Sequence, residues 1–357
     1  MEERIIKFAA GFFVVLTIVV GVSLYFFPAL HVKAVEWADE RQALAELASE
    51  NQAKMTELTL AASTGEVKDA SGEKRQLQLR LPEGVAGEQI SFHEDYVTQT
   101  VTMEIPAVDA TYFDQDPLMG SSNHIDNLSY ALENGAGEVE IVLDRVYELE
   151  TSYDDSYFYI DFIDPHDIYD KVVVIDAGHG GRAPGATIQG SNEKDIDLAI
   201  VLQLKALFDA SDENIGVYYT RTDDSNPTFD QRVQLANKSN ADLFISVHNN
   251  STRSGRMSKI NGTQVMYSES DTKDLGSRHL AQLCLDEVTG TTGSTDKGLV
   301  EGDSIYIIRT SEVPVALIEV GFMTNQAELD NLNSEEYQKK TAQGIYQAIH
   351  RALEEGY

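Results

Sequence analysis

Two histidines stand where a buried sheet would present them. Lys171-Val172-Val173-Val174-Ile175-Asp176 is a nearly continuous apolar run that ends at Ala177-Gly178-His179-Gly180-Gly181. A second such run, Ala241 to His248, ends on His248, and a third, Pro314 to Val320, carries Glu319. Of the eight histidines, His31, His93, His124 and His166 lie outside this segment, and His279 and His350 lie in helical patterns. Imidazole suits Zn²⁺, and a catalytic zinc site takes three protein ligands and keeps an open water position. Such a metal lowers the pKa of its bound water to about 7, which makes a nucleophile at neutral pH. The single cysteine, Cys284, rules out both a disulfide framework and a Cys-rich cluster, so any metal must be held by His and carboxylates. Spacing leaves the third ligand open, because Asp176, Glu193, Asp195 and Asp197 all compete. The alternative chemistry for Gly178-His179-Gly180-Gly181 is an anion-binding turn.

The surrounding elements must hold these residues at one edge. Runs that are apolar at every position read as strands buried on both faces, as in a parallel sheet. Gly216–Arg221 and Thr263–Tyr267 read as further strands. Helices are expected over Glu193–Asp209, Phe229–Ser239, Leu275–Thr289 and Glu335–Glu355, with Cys284 on an apolar face. Strands alternating with helices make residues 169–357 an α/β open sheet with helices on both faces, in which ligands bind outside the carboxyl ends of the strands.

Upstream the texture changes to period two. Gln76–Leu81, Thr100–Ile105, Glu138–Leu143 and Tyr157–Phe162 read as short strands between turn-rich stretches, so residues 56–168 are expected to form a β-sandwich-like domain. It is acidic: residues 106–170 hold one basic side chain, Arg145. Ile160 to His166 reads as a short, stiff connection to the next strand. Residues 36–55 read as a juxtamembrane helix. Phe8–Leu30 is uncharged and, at about 1.5 Å per residue, long enough to cross a hydrocarbon core of about 30 Å as one transmembrane helix. Arg4 and Lys7 before it favour a cytoplasmic N-terminus. Residues 1–35 are therefore expected to be a single-pass cell-membrane anchor, with a cleaved signal peptide as the other reading; both export the remainder of the chain. The 357 residues carry 59 Asp+Glu against 27 Lys+Arg, a formal charge of −32. Such a chain repels polyanions, which excludes nucleic-acid binding by a broad basic surface.

Four segments in order carry a resemblance: Val174–Gly181, Asn192-Glu193-Lys194-Asp195, Ser246–Asn250 and Ile318–Phe322. Together with Thr220-Arg221 and Gln231-Arg232-Val233 through Ala236-Asn237, they resemble the zinc-dependent N-acetylmuramoyl-L-alanine amidases of the amidase-3 type, over about residue 170 to Tyr357. The resemblance implies that His179, Glu193 and His248 are the zinc ligands and that Glu319 is the catalytic glutamate, which leaves Asp176 to orient the His179 loop. It implies peptidoglycan as the partner, cut between the muramic acid lactyl group and L-alanine. Two other functions compete with it: a non-catalytic wall-binding scaffold, and a zinc amidase or peptidase acting on another amide. The β domain is similar in arrangement to the AMIN-type modules that precede such catalytic domains. Asn249 and Asn250 could shape the pocket. Ser251–Asn261, with Arg253, Arg256 and Lys259, is too short to hold a regulatory helix over the zinc. No protein activator can be named.

Overall fold

The computed structural model describes residues 55–61, 67–109, 111–133, 136–271 and 276–357. The expected anchor Phe8–Leu30 lies outside them, as does the expected helix at 36–55 except for Met55. Among the described residues, no helix is long and apolar enough to cross a membrane.

Leu58–Tyr357 forms one compact unit containing two sheet systems. The first is built from β1 (Leu77–Arg80), β2 (Ser91–Asp95), β3 (Thr100–Pro106), β4 (Met119–Gly120), β5 (Ile125–Glu133), β6 (Ala136–Leu143), β7 (Glu148–Tyr153) and β8 (Tyr157–Ile163). β5, β6, β3 and β2 lie side by side, all antiparallel. β4, β1, β8 and β7 make a second antiparallel sheet. Period-two patterning explains their meeting. Val101, Met103, Ile105, Val139 and Ile141 point inward from one sheet, and Leu77, Leu79, Phe158, Ile160 and Phe162 from the other, so both sheets share one core. This is the expected sandwich, with β2, β4, β5 and β7 added to the expected strands.

Asp164 links the two systems. Its carboxylate accepts the His166 amide hydrogen at 3.0 Å and caps a single turn, Pro165–Ile168, which leads directly into the next sheet.

That sheet comprises β9 (Lys171–Ala177), β10 (Ile215–Tyr219), β11 (Leu243–Asn250), β12 (Thr263–Tyr267), β13 (Asp296–Glu301) and β14 (Val315–Phe322), in the order β10-β9-β11-β14-β12-β13. The uninterrupted apolar run of β9 divides between two layers. Val173 and Ile175 pack with α1 (Glu193–Asp209), α3 (Ser277–Thr292) and α5 (Glu335–Glu355), while Val172 and Val174 pack with α2 (Phe229–Lys238). A further short helix, α4 (Gln326–Leu332), precedes α5. Helices therefore cover both faces, as expected.

The sheet is mixed rather than wholly parallel. β10, β9, β11 and β14 run parallel, but β12 pairs antiparallel with β14. The reason is the connection: a parallel crossover takes about a dozen residues or more, usually as a helix, and the segment between β11 and β12 holds no helix. The expected helix Leu275–Thr289 runs from Ser277 to Thr292 and stops at Gly293, whose φ of 71° is a left-handed cap.

The two systems meet through a polar and aromatic seam. The Tyr96 and Tyr218 rings cross edge to face at 4.9 Å, and the Tyr218 hydroxyl donates to Glu148. Val146 enters the core beneath α2, and its amide donates to the Lys238 carbonyl at 3.1 Å.

Candidate active site

The carboxyl ends of β9, β11 and β14 lie side by side, and they position three of the side chains singled out above. His248 of β11 and Glu319 of β14 are register neighbours. His179 follows β9 in the left-handed region at φ 58°, a conformation uncommon for a residue with a β-carbon. Two buried arginines hold it there by binding three successive carbonyls. Arg221 donates to Ala177 and Gly178 O at 2.9 and 2.7 Å, and Arg232 donates to Ala177 and His179 O at 2.7 and 2.6 Å.

Of the competing carboxylates, Glu193 pairs with both imidazoles. It opens α1, where its Oε1 lies 3.1 Å from His179 Nε2 and 3.0 Å from His248 Nδ1. The Asn249 amide also donates to Oε1 at 3.2 Å, and the Ala186 amide donates to Oε2 at 2.7 Å. Burial resists charge on Glu193, but the two imidazoles outweigh it and hold this carboxyl well below the usual range. For His248 burial likewise opposes charge, yet Glu193 and its acidic neighbours raise the ring to about 9. Glycines make the room: a β-carbon on Gly178 would sit 2.3 Å from the His248 ring, and one on Gly185 would meet Glu193 and His179.

Two of the other carboxylates go elsewhere. Asp176 is fully buried beneath the strand ends. Its Oδ1 accepts from Arg232 and from the Thr220 hydroxyl, both at 2.6 Å, and its Oδ2 accepts from Ser246 at 2.5 Å. Burial opposes its charge, but Arg232 and the hydroxyls hold it at about 2. Asp195 is spent on the Asn192 side chain at 2.9 Å, at the start of α1. Asp197 is different: it is fully buried, and its carboxylate falls within one cluster with His179, Glu193 and His248, whose donor atoms all lie within 4.8 Å of one another. It accepts from the Asn249 side-chain amide at 2.7 Å.

Glu319, like Asp197, leaves one carboxylate oxygen over. Its Oε2 is buried with no hydrogen-bond partner. Burial pushes this carboxyl up to about 7, with His248 lowering and Glu193 raising it. A carboxyl poised near neutrality beside a cluster of metal-type donors can accept and return a proton. Two imidazoles and a carboxylate converging at this spacing form a donor set that suits zinc.

Sequence reasoning named His179, Glu193, His248 and Glu319, and the fold brings them together. It assigned no task to Arg221 or Arg232. The available signal was Arg232 on the buried stripe of α2 with Val233, Leu235 and Ala236. The segment Ser251–Asn261 carries no helix, as expected, and Ser258 donates its amide hydrogen to Thr324 O at 2.7 Å. Cys284 is buried away from the cluster.

A family model described as N-acetylmuramoyl-L-alanine amidase matches residues 173–351. The chain is 38% identical over 179 residues to the uncharacterized protein YqiI of Bacillus subtilis (strain 168), covering 50% of this chain and 83% of that one. It is 30% identical over 199 residues to the germination-specific N-acetylmuramoyl-L-alanine amidase of the same organism, covering 52% of this chain and 81% of the relative. Among solved structures, an N-acetylmuramoyl-L-alanine amidase from Clostridium difficile 630 is 33% identical with a TM-score of 0.49, covering 52% of this chain and 98% of that one.

Proposed function

The chain belongs to the N-acetylmuramoyl-L-alanine amidase family, and on that premise we propose that it hydrolyses the amide between the lactyl group of muramic acid and L-alanine in peptidoglycan. The observation that carries this reading is the single Glu193 oxygen lying 3.1 and 3.0 Å from two imidazoles, beside a buried glutamate with an unpartnered oxygen. His179, Glu193 and His248 would hold zinc, which when bound supplies a Lewis acid for the lactyl carbonyl and makes water acidic enough to react at neutral pH.

The chain's own residues account for the proton. Glu319 takes a proton from water as the oxygen adds to the lactyl carbon. It then delivers that proton to the L-alanine nitrogen as the C–N bond breaks, leaving a free amine and a lactyl carboxylic acid, which releases the second water proton to solvent. Its burial suits both halves, because a carboxyl near neutrality gives up the proton as readily as it takes it. Arg221 and Arg232 keep His179 aimed, and Asp176 anchors Arg232.

The filled and converging site favours an enzyme over a wall-binding scaffold. Phe8–Leu30 is proposed as a membrane anchor that places the site outside the cytoplasm, and the acidic sandwich as an AMIN-like module that positions the site on the wall. Their support is the uncharged length after Arg4 and Lys7, and the two-sheet core ahead of the family segment. At a net charge of −32, bulk attraction to an anionic wall would not place the enzyme, so the anchor supplies proximity.

Mass spectrometry of peptidoglycan digested with the zinc-loaded chain tests the activity. Stem peptides released with free L-alanine amino termini are expected. Cleavage inside the stem would point to a peptidase, and zinc-loaded protein giving no product would point to the scaffold.

A further inference from the structure

We propose that Asp197 and Asn249 form a buried clamp that positions Glu193 between His179 and His248. This inference rests on the metal-site reading above. Asp197 lies one turn beyond Glu193 on the buried face of α1, whose buried residues include both. Asn249 follows His248 on β11. The pairing of β11 with β14 shifts register between His248 and Asn250, so Asn249 sits at an irregularity of the strand.

The two contacts of Asn249 tie strand to helix at both ends of that turn. Its side-chain amide donates to Asp197 Oδ1 at 2.7 Å, and its backbone N–H donates to Glu193 Oε1 at 3.2 Å. The Ala186 N–H holds the other oxygen, Oε2, at 2.7 Å. Each Glu193 oxygen therefore meets one backbone donor, and Oε1 is left turned toward the imidazoles. The Ala186 donor comes from the loop before α1 and needs no help from the helix. The Asn249 donor depends on where β11 sits along α1, and the Asp197–Asn249 bond sets that.

The pair is costly as a purely structural device. Asp197 and Asn249 are 0% and 1% exposed, and Asp197 Oδ2 and Asn249 Oδ1 have no partner. An apolar pair filling the same space would avoid the desolvation penalty. What an apolar pair cannot do is fix the register of the Asn249 amide against Glu193.

The test uses the full chain and two readouts. Zinc affinity is measured by competition with a chromophoric chelator. The Asp197→Ala variant is expected to bind zinc about 10- to 100-fold more weakly. Asp197→Asn, whose side-chain oxygen can still accept from Asn249, is expected to stay within about threefold of the parent chain. The second readout is the ¹⁵N resonance of His248 Nδ1 in the metal-free chain, which reports the hydrogen bond to Glu193. It should shift in Asp197→Ala and return in Asp197→Asn. An unchanged Nδ1 signal together with zinc affinity within twofold in Asp197→Ala overturns the clamp. So does an Asp197→Asn variant that loses as much affinity as His179→Ala, since Asp197 would then be a ligand. A parent chain that takes up no zinc defeats the metal reading, while the Nδ1 signal still decides the clamp. Should Asp197→Ala fail to fold, Asn249→Ala carries the same expectations.

Discussion

Replacing Arg232 with leucine removes the cation that, among the described residues, is bonded to the buried Asp176 carboxylate. Arg232 and Asp176 side chains are 3% and 1% exposed and 2.6 Å apart. Two independent routes give the size of the effect. Removing one partner of a buried pair costs about 3–5 kcal/mol, because the other charge stays desolvated. The titration route starts from Asp176 at about 2 in the fold, against an ordinary value of 3.8. That difference corresponds to about 2 kcal/mol of stability, which the loss of Arg232 would largely erase. The two routes bracket an expected loss of about 2–5 kcal/mol.

The sign of the pH dependence comes from the same numbers. A depressed carboxylate adds stability above its unfolded value, and that stability is lost as pH falls through its folded value. The parent chain should therefore lose about 2 kcal/mol of stability between roughly pH 4 and pH 2 from this group, and Arg232→Leu should lack that step. Urea unfolding followed by far-ultraviolet circular dichroism, repeated across this pH range, measures both. The double variant Asp176→Asn/Arg232→Leu should recover at least half of the loss, since a neutral amide can still accept from Thr220 and Ser246. A single-variant loss under about 1 kcal/mol, or an acid step as large as the parent's without Arg232, would refute the reasoning.

Three further outcomes are expected. Gly178→Ala would drive a β-carbon to 2.3 Å from the His248 ring, so His248 must shift; zinc affinity measured by chelator competition should fall about tenfold or more while far-ultraviolet dichroism stays unchanged. Tyr218→Phe removes the hydroxyl that donates to Glu148 across the seam, and it should lower unfolding stability in urea by about 1.5–3 kcal/mol. Cys284 is fully buried, and burial pushes its thiol up to about 12, so a maleimide should label it only after denaturation; rapid labelling of the native chain would contradict the packing of α3.

Much of the positioning framework was legible in the residues themselves. β12, α1 and α5 fall on their expected bounds, because the period of their apolar residues is strong and their ends are marked by Asn192, Ser334 and Gly356. The strands that went unread include β2, β7 and β13, and each of these lies at the edge of its sheet. Edge strands such as Ser91–Asp95 and Glu148–Tyr153 are partly exposed on both faces, so they carry little alternation, and pairing with a neighbour is what makes them strands.

The site divides along the same line. Sequence by itself determined that a metal here must use His and carboxylates, since one cysteine is present, and that His179, His248 and Glu319 end or follow buried strands. Those are statements about residue type and local periodicity, and they need no knowledge of what packs on what. Only the tertiary structure shows the different partners of Asp176, Glu193, Asp195 and Asp197. All four are acids within a short stretch of chain, and their roles depend on the partners that folding delivers. Arg232 takes Asp176, Asn192 takes Asp195, two imidazoles meet Glu193, and Asn249 reaches Asp197. A carboxylate's function is set by the charges and donors within a few ångströms of it, and most of those come from α2, β9 and β11, distant in sequence from the acids they meet.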